Sequence, residues 1–172
     1  MNTSFLSKIA VMFAILIFGV SRADAGQFDV AGAGCVPDPS TISGGLYSQV
    51  NAAISFGSGK TGTIVLNCPI TNASTITSAN PTLTITYLDT STSSGNKIEF
   101  TIYSVKKSNG SFLTFLDYDT DGGSCTQSSS VHTCSVVSLS AFDTANYYYI
   151  VQINMSRSST LPAETFFGAT VN

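Results

Sequence analysis

Tryptophan is absent from this 172-residue chain, histidine occurs once, and only 10% of residues are charged. Each shortage removes a class of function. Without tryptophan, any face that binds by ring stacking must rely on tyrosine and phenylalanine. With His132 as the one imidazole and no G-x-S-x-G turn, the chain lacks the parts of a serine hydrolase. Seven lysines and arginines, with no cluster beyond Lys106-Lys107, are too few to neutralise a run of phosphates or hold an anionic bilayer. Nucleic acid is therefore not expected as a partner. Past residue 25 the only glutamates are Glu99 and Glu164. Glu99 alternates with Ile98, Phe100 and Ile102 and so should face solvent, which leaves no pair of carboxylates to flank a glycosidic bond. Gly59-Lys60-Thr61 has Ile54 where a phosphate loop needs glycine, and it reads as a turn. The chain is expected not to be an enzyme.

Long apolar runs are scarce too, and the exception is at the start. Ile9 to Val20 is an unbroken apolar stretch behind Lys8, too short to span a bilayer comfortably, and it leads into Ala23-Asp24-Ala25. This is the pattern of a cleaved export signal over residues 1–25. Residues 26–172 then have the size of one ordinary domain, one charge unit more acidic than the full-chain −3. No later stretch is long enough to cross a membrane as a helix, so a secreted or periplasmic location is expected.

Four cysteines, Cys35, Cys68, Cys125 and Cys134, occur with no C-x-x-C spacing, which weighs against a zinc site. An even number in an exported chain points to two disulfides. Of the three pairings, Cys35–Cys68 and Cys125–Cys134 are favoured. The first ties the N-terminal segment to an early strand, and the second closes a short polar loop.

Between these landmarks the patterning has period two. Thr82-Leu83-Thr84-Ile85-Thr86-Tyr87-Leu88 alternates threonine with large apolar groups. In Tyr147–Met155 the odd positions share an apolar face, while Gln152 and Asn154 mark a wet one. Six more segments read as strands: 53–56, 63–67, 97–105, 111–116, 131–137 and 166–171. Turn residues separate them, and Asn109-Gly110 predicts a tight hairpin. Leu46 to Ile54 is the one helix candidate. About eight short strands at this spacing predict an all-β fold, an antiparallel two-sheet sandwich of immunoglobulin-like or jelly-roll type.

The run Gly62-Thr63-Ile64-Val65-Leu66-Asn67-Cys68-Pro69-Ile70, the Leu83–Tyr87 strand and the Tyr147-Tyr148-Tyr149 strand ending in Ser156-Arg157-Ser158 resemble a loose family of small secreted bacterial β-rich proteins. The resemblance covers nearly all of the chain beyond the signal. It implies an exported β-rich domain and carries over no catalytic or binding residue.

One stretch looks like metal chemistry. In DYDTDGG, Asp117, Asp119, Asp121 and Gly122 match positions one, three, five and six of a calcium loop. Position twelve is Ser128 where an EF-hand needs glutamate, and position nine is Cys125. A shorter calcium loop therefore competes with a plain acidic turn, and the turn is preferred. Calcium is the only cofactor this leaves as a candidate. Tyr148 stands out as an aromatic on the wet side of its strand, a candidate sugar-stacking ring. The expected role is a non-catalytic structural or interaction protein with a protein or glycan partner, self-association included. A small carbohydrate-binding module with calcium support is the alternative.

Overall fold

The computed structural model describes residues 27–91, 95–120, 125–126, 128–137, 140–160 and 164–172. The signal segment expected over residues 1–25 lies outside them, as do Asp121 and Gly122. Among the described residues eleven strands form: β1 (Phe28–Ala31), β2 (Val36–Pro37), β3 (Tyr47–Val50), β4 (Ala53–Phe56), β5 (Gly62–Pro69), β6 (Thr82–Asp89), β7 (Lys97–Lys106), β8 (Phe112–Asp119), β9 (Ser128–Val137), β10 (Tyr147–Arg157) and β11 (Glu164–Val171). They make two antiparallel sheets. One has the order β3-β4-β11-β6-β9, with β1 added to β11, and the other has the order β2-β5-β10-β7-β8.

Without β1, β2 and β3, the remaining orders β4-β11-β6-β9 and β5-β10-β7-β8 are those of an eight-stranded jelly roll, in which the chain changes sheet at nearly every connection. The eight segments expected from alternation are these eight strands. Of the three additions, β1 and β2 are short pieces placed by pairing with the distant β11 and β5, and β3 joins β4 locally. The helix candidate over Leu46 to Ile54 is instead the β3–β4 hairpin, turned by Asn51 in the left-handed region at φ 56°. The stretch has too few residues to repay helix nucleation, and pairing with β11 captures it.

The core fills from the alternating positions. Ile64, Leu66, Ile98, Phe100, Ile102, Val151, Ile153 and Met155 from one sheet meet Ile54, Leu83, Ile85, Tyr87, Phe166 and Val171 from the other, all nearly inaccessible to water. Each such side chain contributes about 1.5–3 kcal/mol of burial. Tyr87 is the one fully buried phenol, and its hydroxyl donates to the Thr126 carbonyl at 2.8 Å. At Gly168 an added Cβ would lie 2.7 Å from the Val30 carbonyl oxygen, so β1 can close on β11 only over a bare backbone.

The edge beyond β2 is blunted by a single helical turn, α1 (Pro39–Ser43). Asp38 caps it by accepting from the Thr41 N–H at 2.7 Å, which holds the Asp38 carboxyl below its ordinary pKa. The buried Thr41 hydroxyl then accepts from the Val65 N–H at 2.8 Å, so α1 satisfies a β5 donor that no strand reaches. Cys35–Cys68 staples this N-terminal segment to β5, and Cys125–Cys134 anchors the approach to β9.

The loop closed by Cys35–Cys68 spans 33 positions and that of Cys125–Cys134 spans 9. Chain entropy then assigns about 3–4 kcal/mol to the first and about 2–3 kcal/mol to the second. Serine replacement of Cys35 and Cys68 together is expected to lower stability in urea more than the same replacement of Cys125 and Cys134. The reverse order would mean that the short loop carries native contacts beyond its closure.

Candidate functional site

The five-stranded sheet turns one face to the core and the other to solvent, and register makes that outer face a set of rungs. Val105 lies between Tyr148 and Phe112; Tyr103 lies between Ile150 and Thr114, with Pro69 beyond Ile150. Next, Thr101 lies between Gln152 and Asp117, with Asn67 beyond Gln152. Glu99 lies between Asn154 and Asp119, and Lys97 lies beside Ser156. One half of the face is therefore aromatic and apolar, and the other is polar.

In the apolar half Tyr148 is 63% exposed and Phe112 is 63% exposed, which is far from the norm for large rings on a strand. Phe112 meets Tyr103 edge-on, with ring centroids 6.2 Å apart. Tyr148 forms a ridge between two hollows. The larger, of about 480 Å³, is lined by Pro69, Thr71, Val105, Phe112, Tyr148 and Ile150. The smaller, of about 150 Å³, is lined in part by Ser74, Thr144 and Lys107. Lys107 donates to the Thr144 carbonyl at 2.7 Å, which parks its ammonium 4.9 Å from the Tyr148 ring centre.

Beneath this half lies a second aromatic layer. Phe115 is the extra residue where β8 shifts register against β7, and it points inward onto Tyr149 and Phe142. Tyr149 and Phe142 stack at 4.2 Å, and the Tyr149 hydroxyl accepts from the Asp143 N–H at 2.7 Å. Burial pushes the Tyr149 hydroxyl above its ordinary pKa, with a further push from the Asp143 charge. The ridge therefore rests on a fixed base.

In the polar half the side chains hold one another. Gln152 donates to Asn67 at 3.1 Å, Asn154 donates to the Gln152 carbonyl at 3.5 Å, and Thr101 donates to Asp117 at 2.7 Å. Lys97 pairs with Glu99 and lies 3.7 Å from Asp119. The Gln152–Asn67 and Thr101–Asp117 bonds cross between strands and the Asn154–Gln152 bond runs along β10, and together they fix where donors and acceptors stand on the face.

No family model and no curated protein sequence matches the chain. Solved structures do. The CBM36-1 domain of a multidomain xylanase from the hindgut metagenome of Trinervitermes trinervoides is similar over 86% of this chain and 97% of its own, at 6% identity and a TM-score of 0.48. A CBM22-1 xylan-binding domain from Paenibacillus barcinonensis is similar over 83% of each chain, at 7% identity and a TM-score of 0.42. The K2 cleaved adhesin domain of Lys-gingipain is similar over 87% of this chain and 91% of its own, at 14% identity and a TM-score of 0.41. At such identities no residue of those proteins maps onto a position here.

The residues singled out in the sequence fall as follows. Tyr148 is on the outer face, as its phase requires. Asp117 and Asp119 are not in a loop: β8 runs through them, because β7 is long enough to keep pairing as far as Glu99 with Asp119. As alternate residues of a strand they share the outer face, held by Thr101 and Lys97. Asp121 lies outside the described residues, and among those described no group of three or more histidines, cysteines or acids is placed to hold a metal ion. His132 sits on β9, edge-on to Tyr87 at 6.0 Å. Both cysteines beside it are spent in the disulfide.

Asn67 and Thr101 were not legible as site residues. Their phase placed them outward, but only strand order brings Asn67, Gln152, Thr101 and Asp117 into one rung. A second polar group was also missed. Asp89 and Glu164, register partners on β6 and β11, are both buried at the Arg157 end of the sandwich. Asp89 continues the inward phase of Leu83, Ile85 and Tyr87, which was a usable signal. Burial pushes the Glu164 carboxyl up to about 7, opposed by Arg157 and helped by Asp89.

If the outer amides exist for a ligand, removing them should barely affect folding. Gln152→Ala and Asn154→Ala are each expected to change stability in urea by less than about 1 kcal/mol, whereas Tyr149→Ala should cost about 3–5 kcal/mol. Equal costs would make the amide row part of the scaffold.

Proposed function

We propose that this protein is an exported, non-catalytic binding module that takes a carbohydrate on the outer face of its five-stranded sheet. The observation that carries this reading is the union of an exposed ring ridge with a fixed row of amides on one continuous face. A sugar presents an apolar face of C–H groups and an equatorial rim of hydroxyls. The first suits Tyr148, Tyr103 and Phe112; the second suits the Asn67 amino group, the Asn154 carbonyl and the Asp117 carboxylate. Glu99, Asp117 and Asp119 outnumber Lys97 in the polar half, so the ligand is a neutral glycan and not a polymer of uronic acids. Because the side chains are already bonded to one another, little ordering entropy remains to be lost on binding.

A glycan array followed by calorimetry tests the reading. Neutral oligosaccharides should bind, and Tyr148→Ala should weaken them about tenfold, corresponding to roughly 1–2 kcal/mol for one ring. Val131→Ala, on the opposite sheet, should leave affinity unchanged. A blank array, or equal loss in both variants, would remove this reading. A second reading, a protein or self-association surface, is favoured by the free edge of β8, where Phe112 and Leu113 are both more than half exposed. A concentration-dependent dimer in light scattering that Leu113→Lys abolishes would favour it instead.

A further inference from the structure

The end of the sandwich opposite Tyr148 is built from oxygen. Asp89 and Glu164 face each other across β6 and β11 on core-facing positions, at 0% and 1% exposure. Ser91, Asn96 and Thr120 are buried around them. The Thr120 hydroxyl donates to Asp89 Oδ2 at 2.6 Å, and the Ser91 N–H donates to Oδ1 at 3.1 Å. Asn96 bonds Ser91 at 3.1 Å and accepts from the Ser158 N–H at 2.7 Å. The network thus reaches β10 and Arg157.

Glu164 is the exception in this network. Both of its carboxylate oxygens are buried with no hydrogen-bond donor. Arg157 reaches it with Nε at 3.5 Å from Oε2, but that guanidinium also donates to the carbonyls of Ser159 and Thr160. Among the described residues Arg157 is the one cation within ion-pair reach of the buried Glu164 carboxyl, which a protein interior can relieve by taking up a proton or a further cation. A hollow of about 340 Å³ on the surface at this end is lined by Phe56, Ser58, Arg157, Thr160 and Glu164 among others.

We propose that Glu164 and Asp89 are the protein ligands of a site for a divalent cation of the calcium class, at the Arg157 end of the sandwich. Glu164 supplies both oxygens, Asp89 supplies a second lone pair of an oxygen already bonded to Thr120 or Ser91, and water from the hollow completes the shell. The donors are all oxygen, with no sulfur or imidazole, which selects a hard cation. A bidentate carboxylate in an irregular, partly wet shell suits calcium, which tolerates such geometry, better than magnesium, which demands an octahedron. The ion would lock β6 to β11 and, through Thr120, to the end of β8. This site is separate from Asp117 and Asp119 and independent of the glycan reading.

Calorimetric titration of the disulfide-intact protein, stripped with chelator, tests the site. One calcium ion per chain should bind, magnesium should bind at least tenfold more weakly, and saturating calcium should raise the melting midpoint by about 5–10 °C. Glu164→Gln, which keeps the side chain's shape, should abolish binding and the shift, while Asp117→Asn and Asp119→Asn should retain both. No calcium bound by the native chain would overturn the proposal whatever the variants do. So would binding that survives Glu164→Gln, or binding lost in Asp117→Asn. Should Glu164→Gln fail to fold, Asp89→Asn replaces it with the same expectation.

Discussion

The β7–β10 ladder is the constraint on which the rest of the molecule depends. Ten consecutive residue pairs, from Tyr147 with Lys106 to Ser156 with Lys97, run without a register shift through the middle of the five-stranded sheet. A slip of one residue would send Phe100 and Ile102 to water and Glu99 and Thr101 to the core, so burial locks the register. That lock also decides which residues meet on the outer face. The rung of Asn67, Gln152, Thr101 and Asp117 is a by-product of packing on the other side of the sheet.

The two ends of the sandwich then diverge. At the Tyr148 end, the extra residue in β8 turns Phe115 inward beneath Tyr149 and Phe142, and rings stand on both faces of the sheet. At the Arg157 end, the inward positions of β6 and β11 carry Asp89 and Glu164 in place of apolar groups. A jelly roll has enough burial along its length to tolerate both departures. The polar end costs desolvation that hydrogen bonds and Arg157 offset only in part. The ring end exposes apolar surface that a folded domain does not require for its own stability. Both costs are understandable if each end meets something from outside the chain.

Sequence patterning went far for the eight jelly-roll strands, most of which bury one face and alternate accordingly. Thr82–Leu88 and Tyr147–Met155 declared both their conformation and their inward side. β1 and β2 were silent and pair only because β11 and β5 offer partners, while β3 was read as part of the Leu46 to Ile54 helix candidate. Hydrogen bonding to a neighbour also outweighed local composition at Asp117 and Asp119, where acidic residues that suit a turn extend a strand. Tyr148 was legible from phase alone. Its companions were not, because which strand lies beside which is a long-range fact. Asp89 was legible in principle as the fourth inward position of β6.

Amide chemical-shift mapping tests the central claim that the outer face of the five-stranded sheet is the binding face. An isotope-labelled sample would be titrated with short neutral oligosaccharides. Perturbations should concentrate at Val105, Tyr148, Gln152 and Asn154 and reach Asn67 on β5, with β6 and β9 undisturbed. Shifts confined to the six-stranded sheet, or none at saturating sugar, would contradict the account.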